Sequence, residues 1–202
     1  MPLNADTPYA DVAAYREVLD DATASHDDAR ILAELLTASE LIDYMTGGRF
    51  FDQDASSVTR RYDWLNGGRA LRIDDLSATP STVSYKVGSA AAVTVGASTY
   101  TLCPRNASLA SRPYTEIWFD TAPPRNAVVS ISGQWGWPSV PHGVKSATIQ
   151  LASIVLLDGP RGTQLVTNIL ADATNQLPQA VADLQAQIVN QFYRTPLIGL
   201  SG

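Results

Sequence analysis

The sequence has 202 residues with 14 Lys+Arg and 20 Asp+Glu, which gives a formal net charge of −6 with both histidines neutral. Hydrophobic residues make up 45% and charged residues only 17%, which excludes a coiled coil, a charged linker and a disordered polyelectrolyte. The length fits one domain or two small ones. An acidic chain without a basic cluster also argues against sequence-specific DNA binding, because that function needs cations on phosphates. The single Cys103 excludes an intrachain disulfide and a multi-cysteine metal site.

The N-terminal segment, residues 1–6, has no basic region followed by an apolar stretch, so we expect no signal peptide. The longest strongly apolar run is residues 154–157, far short of the roughly 20 residues that cross a bilayer. These features predict a soluble protein that is made inside the cell and has no membrane partner.

Two amphipathic helices are predicted near residues 8–46. Thr7 and Pro8 suggest the start of the first, because Thr can cap a helix and Pro fits its first turn. The second is predicted to open at residues 25–28, a capping-box pattern, and to end at residues 47–48, where two glycines allow a left-handed backbone. The apolar positions are Val12, Tyr15, Val18, Leu19 and Ala22 in the first helix and Ile31, Leu32, Leu35, Leu36, Leu41, Ile42 and Met45 in the second.

Residues near 56–135 alternate between apolar and polar side chains, which predicts antiparallel β structure in a small sandwich or barrel. A turn is predicted at residues 66–68, where Asn is followed by two glycines. Pro138 and Pro141 end the strand region. The predicted strands cover residues 58–64, 71–73, 83–87, 93–95, 99–102, 115–119 and 127–135.

A third helix is predicted from His142 to Leu157, and it is apolar almost all round. Such a helix is buried or shared with a neighbouring subunit. Its apolar surface is widened by three residues that we predict to lie at a subunit interface. These candidates are Ile149, Leu156 and Leu157.

The chain after residue 158 begins with a glycine- and proline-rich break and is predicted to contain a short helix over residues 165–170. A last helix is predicted from Pro178 to Pro196, with an apolar tail over residues 197–202. The N- and C-terminal helices are expected to pack together into a helical base. The expected fold is therefore α+β, with residues 1–55 and 139–202 forming the base and residues 56–138 an inserted antiparallel β module.

The residue types that support catalysis are sparse. His26 and His142 are the only histidines, and each is more simply explained as a polar residue near a helix start than as a general base. Adjacent acids at residues 27–28 and 74–75 favour capping and solvent-facing roles over a metal pair. No phosphate-binding or dinucleotide-binding glycine loop is present in the sequence. We therefore predict no catalytic, cofactor or metal site.

Two aromatic clusters allow a binding interpretation. Arg60 and Arg61, with Tyr62 and Trp64, resemble a weak nucleic-acid patch, but a solvated strand face is favoured. The segment 135–138, Trp-Gly-Trp-Pro, could stack on a sugar, but a hinge filled by both rings is favoured.

The order of several short motifs gives a more specific indication. These motifs are residues 28–43, the helix end Thr-Gly-Gly-Arg-Phe at 46–50, residues 129–141 with the core Gly-Gln-Trp-Gly-Trp-Pro, and the final helix at 178–194. In this order they resemble the head-to-tail connector (adaptor) proteins of long-tailed bacteriophages, in the variety with a β insertion. The resemblance spans nearly the whole chain, although residues 159–177 match poorly.

The resemblance implies a virion structural protein at the head–tail junction, made in the host bacterial cytoplasm. Members of this family form a ring, dodecameric where it is best known, beneath the portal protein. The next connector (stopper) or the tail binds below the ring, and double-stranded DNA passes through the bore without specific binding. The family's C-terminal region contacts the portal, which implies a portal-docking tail in this chain. The implied tail residues are Tyr193, Arg194, Pro196, Leu197, Ile198 and Leu200.

Two other classes of protein remain open at this point. One is a β module on a virion that binds glycan or protein through Trp118, Trp135 and Trp137. The other is an intracellular hydrolase that uses His142. The helices on both sides of the β region argue against both, since neither function needs them.

Overall fold

The computed structural model describes residues 7–19, 26–49, 51–65, 68–158 and 178–193. The part of the chain within these ranges contains helices and two antiparallel sheets, which confirms the predicted α+β fold. The helices are α1 (Val12–Leu19), α2 (Asp28–Met45), α3 (His142–Asp158) and α4 (Gln179–Phe192). The strands are β1 (Val58–Trp64), β2 (Ala70–Leu76), β3 (Thr82–Val87), β4 (Val93–Thr94), β5 (Tyr100–Cys103), β6 (Tyr114–Phe119) and β7 (Ala127–Gly133).

The chain divides into two compact units. The helical unit consists of the two parts of the chain that flank the strands, up to Phe51 and from Val140 to Thr195. The β module, residues 52–139, lies between these parts in the sequence. The predicted turn residues Asn66 and Gly67, the predicted short helix at 165–170 and the chain beyond Tyr193 lie outside the described residues.

The helix starts differ from the predicted ones because aspartates provide the caps. Helix α1 begins at Val12 rather than at Pro8, and the Asp11 carboxylate accepts a hydrogen bond from the Ala14 N–H at 2.7 Å. Helix α2 begins one residue after Asp27, whose carboxylate accepts from the Arg30 N–H at 2.7 Å. A carboxylate at the helix start satisfies a free N–H and also favours the positive end of the helix dipole.

The end of α2 confirms the predicted double-glycine stop. Gly47 and Gly48 have positive φ angles of 78° and 77°. The Gly48 N–H donates to the Asp43 carbonyl at 2.8 Å, which satisfies a carbonyl of the last helical turn. The last helix, by contrast, ends at Phe192 and not at Pro196 as predicted.

Within the helical unit, α2 packs mainly on α3, and α4 packs on both. Helix α3 contributes its apolar residues to this core, which accounts for much of its apolar surface. An aromatic set completes the core, with Phe51 in edge-to-face contact with Tyr9 and Phe192 at centroid distances of 5.7 and 5.3 Å. Buried residues of the helices include Tyr15, Ile31, Leu35, Leu41, Ile42, Val144, Leu151, Val181, Leu184 and Ile188.

The β module is a sandwich of two antiparallel sheets. One sheet has the order β1-β7-β3-β4 and the other β2-β6-β5. Residues alternate between the inner and outer faces, so that the two inner faces form one shared core. The central members of that core are Trp64, Ile73, Leu76, Val83, Ile117, Phe119, Val129, Ile131 and Trp135. Strand β7 ends at Gly133 instead of Trp135, and Trp135 forms only an isolated bridge with Leu76.

Candidate interaction surfaces

The Gly-Gln-Trp-Gly-Trp-Pro segment, residues 133–138, lies beside the start of the β module. Gly136 forms an isolated antiparallel bridge with Gln53, and the Asp54 N–H donates to the Trp135 carbonyl at 2.8 Å. At Gly136, φ is +100° and an added Cβ would lie 1.8 Å from the Asp52 carbonyl oxygen. Only glycine allows this approach of the two backbones. The motif therefore closes the module by joining its two ends.

Trp135 stabilises this junction and is not a ligand platform. Its ring is 1% exposed, and its indole N–H donates to the Val58 carbonyl at 2.8 Å. Trp137 is also buried, at 7% exposed. The glycan platform of Trp118, Trp135 and Trp137 is therefore wrong, because only Trp118 presents its ring to solvent. The favoured interpretation of two rings that fill a junction agrees with this burial.

Arg60 does not belong to a nucleic-acid surface. Its guanidinium lies 4.6 Å above the Trp135 ring and donates to the Asp74 carboxylate at 2.9 Å. The Tyr62 hydroxyl donates to the same carboxylate at 3.0 Å, and burial raises the pKa of Tyr62. Trp64 is buried in the sandwich core, so only Arg61 of the predicted patch is fully exposed. A cation already bound to a carboxylate and an indole is not available for phosphates.

Tyr9 and Asp43 form a buried polar pair in the helical unit. The Tyr9 hydroxyl donates to the Asp43 carboxylate and accepts from the Phe51 N–H at 3.2 Å. The Tyr9 N–H in turn donates to the Ser39 hydroxyl at 3.0 Å. Asp43 is 4% exposed, and this burial raises its pKa to about 7, against the opposing hydrogen bond from Tyr9. The pair ties the segment before α1 to α2 and to Phe51.

The two histidines lie near the starts of α2 and α3. His142 is exposed at the first residue of α3, and His26 is half-buried before α2. Among the residues in the described ranges, no group of three His, Cys, Asp or Glu side chains could hold a metal ion. Within the same ranges, no helix has the length and hydropathy to span a membrane.

The outward face of α2, which we define as Ala29, Leu32, Ala33, Leu36, Thr37, Glu40 and Tyr44, is the most distinctive surface of the helical unit. These residues lie opposite the buried side of the helix at 3.6 residues per turn. Glu40 is the one charged residue among them, and the exposed Arg30 lies beside Thr37 at the edge of the face. Leu32 is 39% exposed and Tyr44 52% exposed. A helix face directed to water normally carries charged and polar side chains. The predicted apolar stripe of this helix includes Leu32 and Leu36, which the structure places on the outward face.

The predicted interface and tail residues have mixed placements. Ile149 and Leu156 are buried at 6% and 4% exposed, so their side chains pack inside the helical unit, and their part in a subunit interface stays a prediction. Tyr193 is 51% exposed directly after α4. The Leu157 side chain and the predicted tail residues Arg194, Pro196, Leu197, Ile198 and Leu200 lie outside the described part of the chain.

The β module exposes a second distinctive feature, the loop of residues 104–113 between β5 and β6. Leu109 lies in a short 3-10 helix at its tip and is 86% exposed. The loop has internal hydrogen bonds, and in one of them the Arg112 N–H donates to the Ala107 carbonyl at 2.9 Å. Within the loop, Ala107 is buried. Arg105 and Arg112 are exposed on either side of Leu109 in the sequence. The loop thus presents one apolar side chain between two cations.

Comparisons with known proteins give similarity to solved structures. No protein-family model matches the sequence, and no curated protein matches it. Among solved structures, a similar chain belongs to the neck of an empty gene transfer agent (GTA) particle computed with C6 symmetry. The two chains are 22% identical over 72% of this chain and 76% of that chain, with a TM-score of 0.49. Similarity at this level does not assign a function to this chain.

Proposed function

We propose that this protein is a structural protein of a virion neck, an adaptor that forms a ring between the portal and the next connector or the tail. The observation that carries the proposal is the outward face of α2, an exposed helix face with apolar residues and one charge. Covering apolar surface with a protein partner lowers the free energy, so such a face marks a protein contact. Repeated head-to-tail contact between copies closes into a ring when the rotation allows it.

The arrangement of the chain supports the adaptor assignment. A helical unit built from both flanking parts of the chain is interrupted by a β sandwich, and the sandwich ends at the segment 133–138. This is the motif order on which the resemblance to phage head-to-tail connectors rests. The proposal relies on these residues rather than on the likeness to the GTA neck chain.

The charge distribution supports passage of DNA without binding. The β module holds 8 of the 14 Lys+Arg and 7 of the 20 Asp+Glu, so the rest of the chain holds 6 and 13. A ring of subunits whose helical parts are this acidic repels duplex DNA, which carries one negative charge per roughly 1.7 Å. We infer a role without catalysis and without a cofactor, in which the bore lets DNA slide during ejection.

Electron microscopy of the purified protein mixed with its portal tests this function. We expect a ring of added density on the portal vertex, with successive subunits in contact. Particles that lack the protein at the neck, or catalytic turnover by the isolated subunit, would contradict the proposal. The isolated protein need not be oligomeric, because some rings assemble only on their partner.

Portal docking by the C-terminal residues is tested separately by deleting residues 196–202. The segment is apolar, and an apolar tail is stabilised when it docks against a partner. We expect the truncated protein to keep its circular dichroism spectrum and to lose portal binding in a pull-down. Leu197→Asp should weaken binding about tenfold or more, whereas Ser201→Asp serves as the matched control with a smaller effect. Undiminished binding after the deletion would refute the docking role.

A further inference from the structure

The loop of residues 104–113 is an exposed apolar feature of the β module. Leu109 is the most exposed of the large apolar side chains described, at 86%, and its loop is braced by backbone hydrogen bonds. A braced loop loses little conformational entropy when it docks. It therefore has the properties of a preformed contact element.

The flanking residues specify the kind of surface that this loop fits. Arg105 and Arg112 are exposed, and an open cleft of about 310 Å³ at the base of the loop is lined in part by Tyr100, Arg105 and Tyr114. Arginine and tyrosine are enriched at protein interfaces because each combines apolar contact area with a polar group. The matching partner is an apolar surface that carries carboxylates.

The chain itself contains such a surface. The outward face of α2 has Leu32, Leu36 and Tyr44 around the exposed carboxylate of Glu40. The sequence outside the β module is acidic, with 13 acids against 6 bases, whereas the module has 7 against 8. Attraction between these unlike regions favours contact of one copy's module with another copy's helices.

We propose that the loop 104–113 of one copy docks on the outward face of α2 of the next copy, with Leu109 against its apolar residues and Arg105 and Arg112 near Glu40. This contact uses two different surfaces, so it propagates from copy to copy and can close into a ring. The inference deepens the proposed adaptor function and rests on it for its biological role.

Cysteine crosslinking tests the contact directly. In the full-length protein with Cys103→Ser, the variants Leu109→Cys and Tyr44→Cys are mixed and treated with a short bismaleimide, alone and with portal. We expect a crosslinked dimer of one Leu109→Cys and one Tyr44→Cys molecule to form in this mixture. Val93→Cys, an exposed position of the same module, replaces Leu109→Cys in one control, and Val18→Cys on α1 replaces Tyr44→Cys in the other. Crosslinking no stronger than in these controls overturns the proposal.

A charge exchange adds a second criterion. Reversing both arginines (Arg105→Glu with Arg112→Glu) should lower the crosslink yield by about fivefold or more, because like charges would then face each other. Adding Glu40→Arg to the Tyr44→Cys partner should restore part of the yield, and a failure to restore it overturns the pairing. Rings on the portal without the Leu109–Tyr44 crosslink would refute this contact and leave the adaptor function standing. The crosslink without any ring on the portal would support the contact and refute the adaptor function.

Discussion

At the scale of single residues, polar groups bonded to tertiary partners serve structure in both units. Arg60 is held by Asp74 and Trp135, and Asp43 by Tyr9. In the sequence, Arg60 is one of two adjacent arginines on a strand and Asp43 is an acid in a helix. Neither pattern indicates the bonding partner of the residue, because tertiary folding alone brings the partner near. Sequence reasoning therefore listed Arg60 as a possible nucleic-acid contact and did not single out Asp43.

The raised pKa of Asp43 predicts a pH-dependent stability. The unfolded carboxyl ionises near its ordinary pKa of 3.8, whereas the folded one keeps its proton up to about pH 7. Between these values the folded state binds more protons than the unfolded state, so the free energy of unfolding falls as pH rises and then levels off. Asp43→Asn keeps an acceptor for Tyr9 and removes the titration.

Urea unfolding at about pH 4 and pH 7 measures this effect. We expect the Asn variant to gain about 2–4 kcal/mol relative to the natural protein as pH rises across this window. Glu17→Gln, an exposed position of α1, is the control and should change the stability far less. Parallel pH profiles of the natural protein and Asp43→Asn would contradict the raised pKa.

At the scale of elements, the apolar periodicity of the sequence predicts α2 and the strands of the sandwich well. The differences occur at element ends. Ser25 and Asp27 both can cap a helix, and the sequence does not decide between adjacent candidates, whereas the structure uses Asp27. Strand β7 ends before Trp135 because the backbone of Gly136 lies against the backbone of Asp52. This contact depends on a residue far away in sequence, so no local sequence pattern predicts it.

The junction at the end of β7 predicts opposite outcomes for two tryptophans of the module. Trp135 is buried and bonded to β1 through Val58, so Trp135→Ala should lower the free energy of unfolding by about 3–5 kcal/mol. Trp118 is 49% exposed on the outer face of β6, so Trp118→Ala should change it by less than about 1 kcal/mol. Chemical denaturation of both variants makes the comparison.

The same pair also tests the remaining glycan-binding interpretation. If Trp118 alone bound sugar, Trp118→Ala would weaken binding on a glycan array and leave assembly intact. We expect no glycan binding by the natural protein.

A stability loss for Trp118→Ala as large as that for Trp135→Ala would contradict the assigned burial of the two rings.

At the scale of the whole molecule, the helix patterns indicate surplus apolar surface but not where it is exposed. Both α2 and α3 are predicted to carry this surplus, and the interface candidates Ile149, Leu156 and Leu157 are predicted on α3 because that helix is apolar almost all round. The structure buries Ile149 and Leu156, and the exposed apolar face lies on α2. Periodicity cannot distinguish a helix covered by its own chain from one covered by another copy. The distinction depends on which helices pack together.

The closure of the β module on itself predicts that it folds without the helices. Its ends are joined by the Gln53–Gly136 bridge and by the hydrogen bond from Asp54 to Trp135, and its two sheets share one core. An excised polypeptide of residues 52–139 therefore retains all members of this core. We expect dispersed amide resonances and a single cooperative thermal transition.

A matched variant makes the excision informative. Gly136→Ala in the same polypeptide would place a Cβ 1.8 Å from the Asp52 oxygen and separate the two ends, so its midpoint should fall by at least several degrees. Gly88→Ala, also at positive φ but with no atom within 4 Å of the added Cβ, isolates the conformational cost and should shift the midpoint less. An unfolded excised module would mean that the helices are required for its core. Equal shifts for the two glycine variants would instead mean that the closure of the ends contributes little stability.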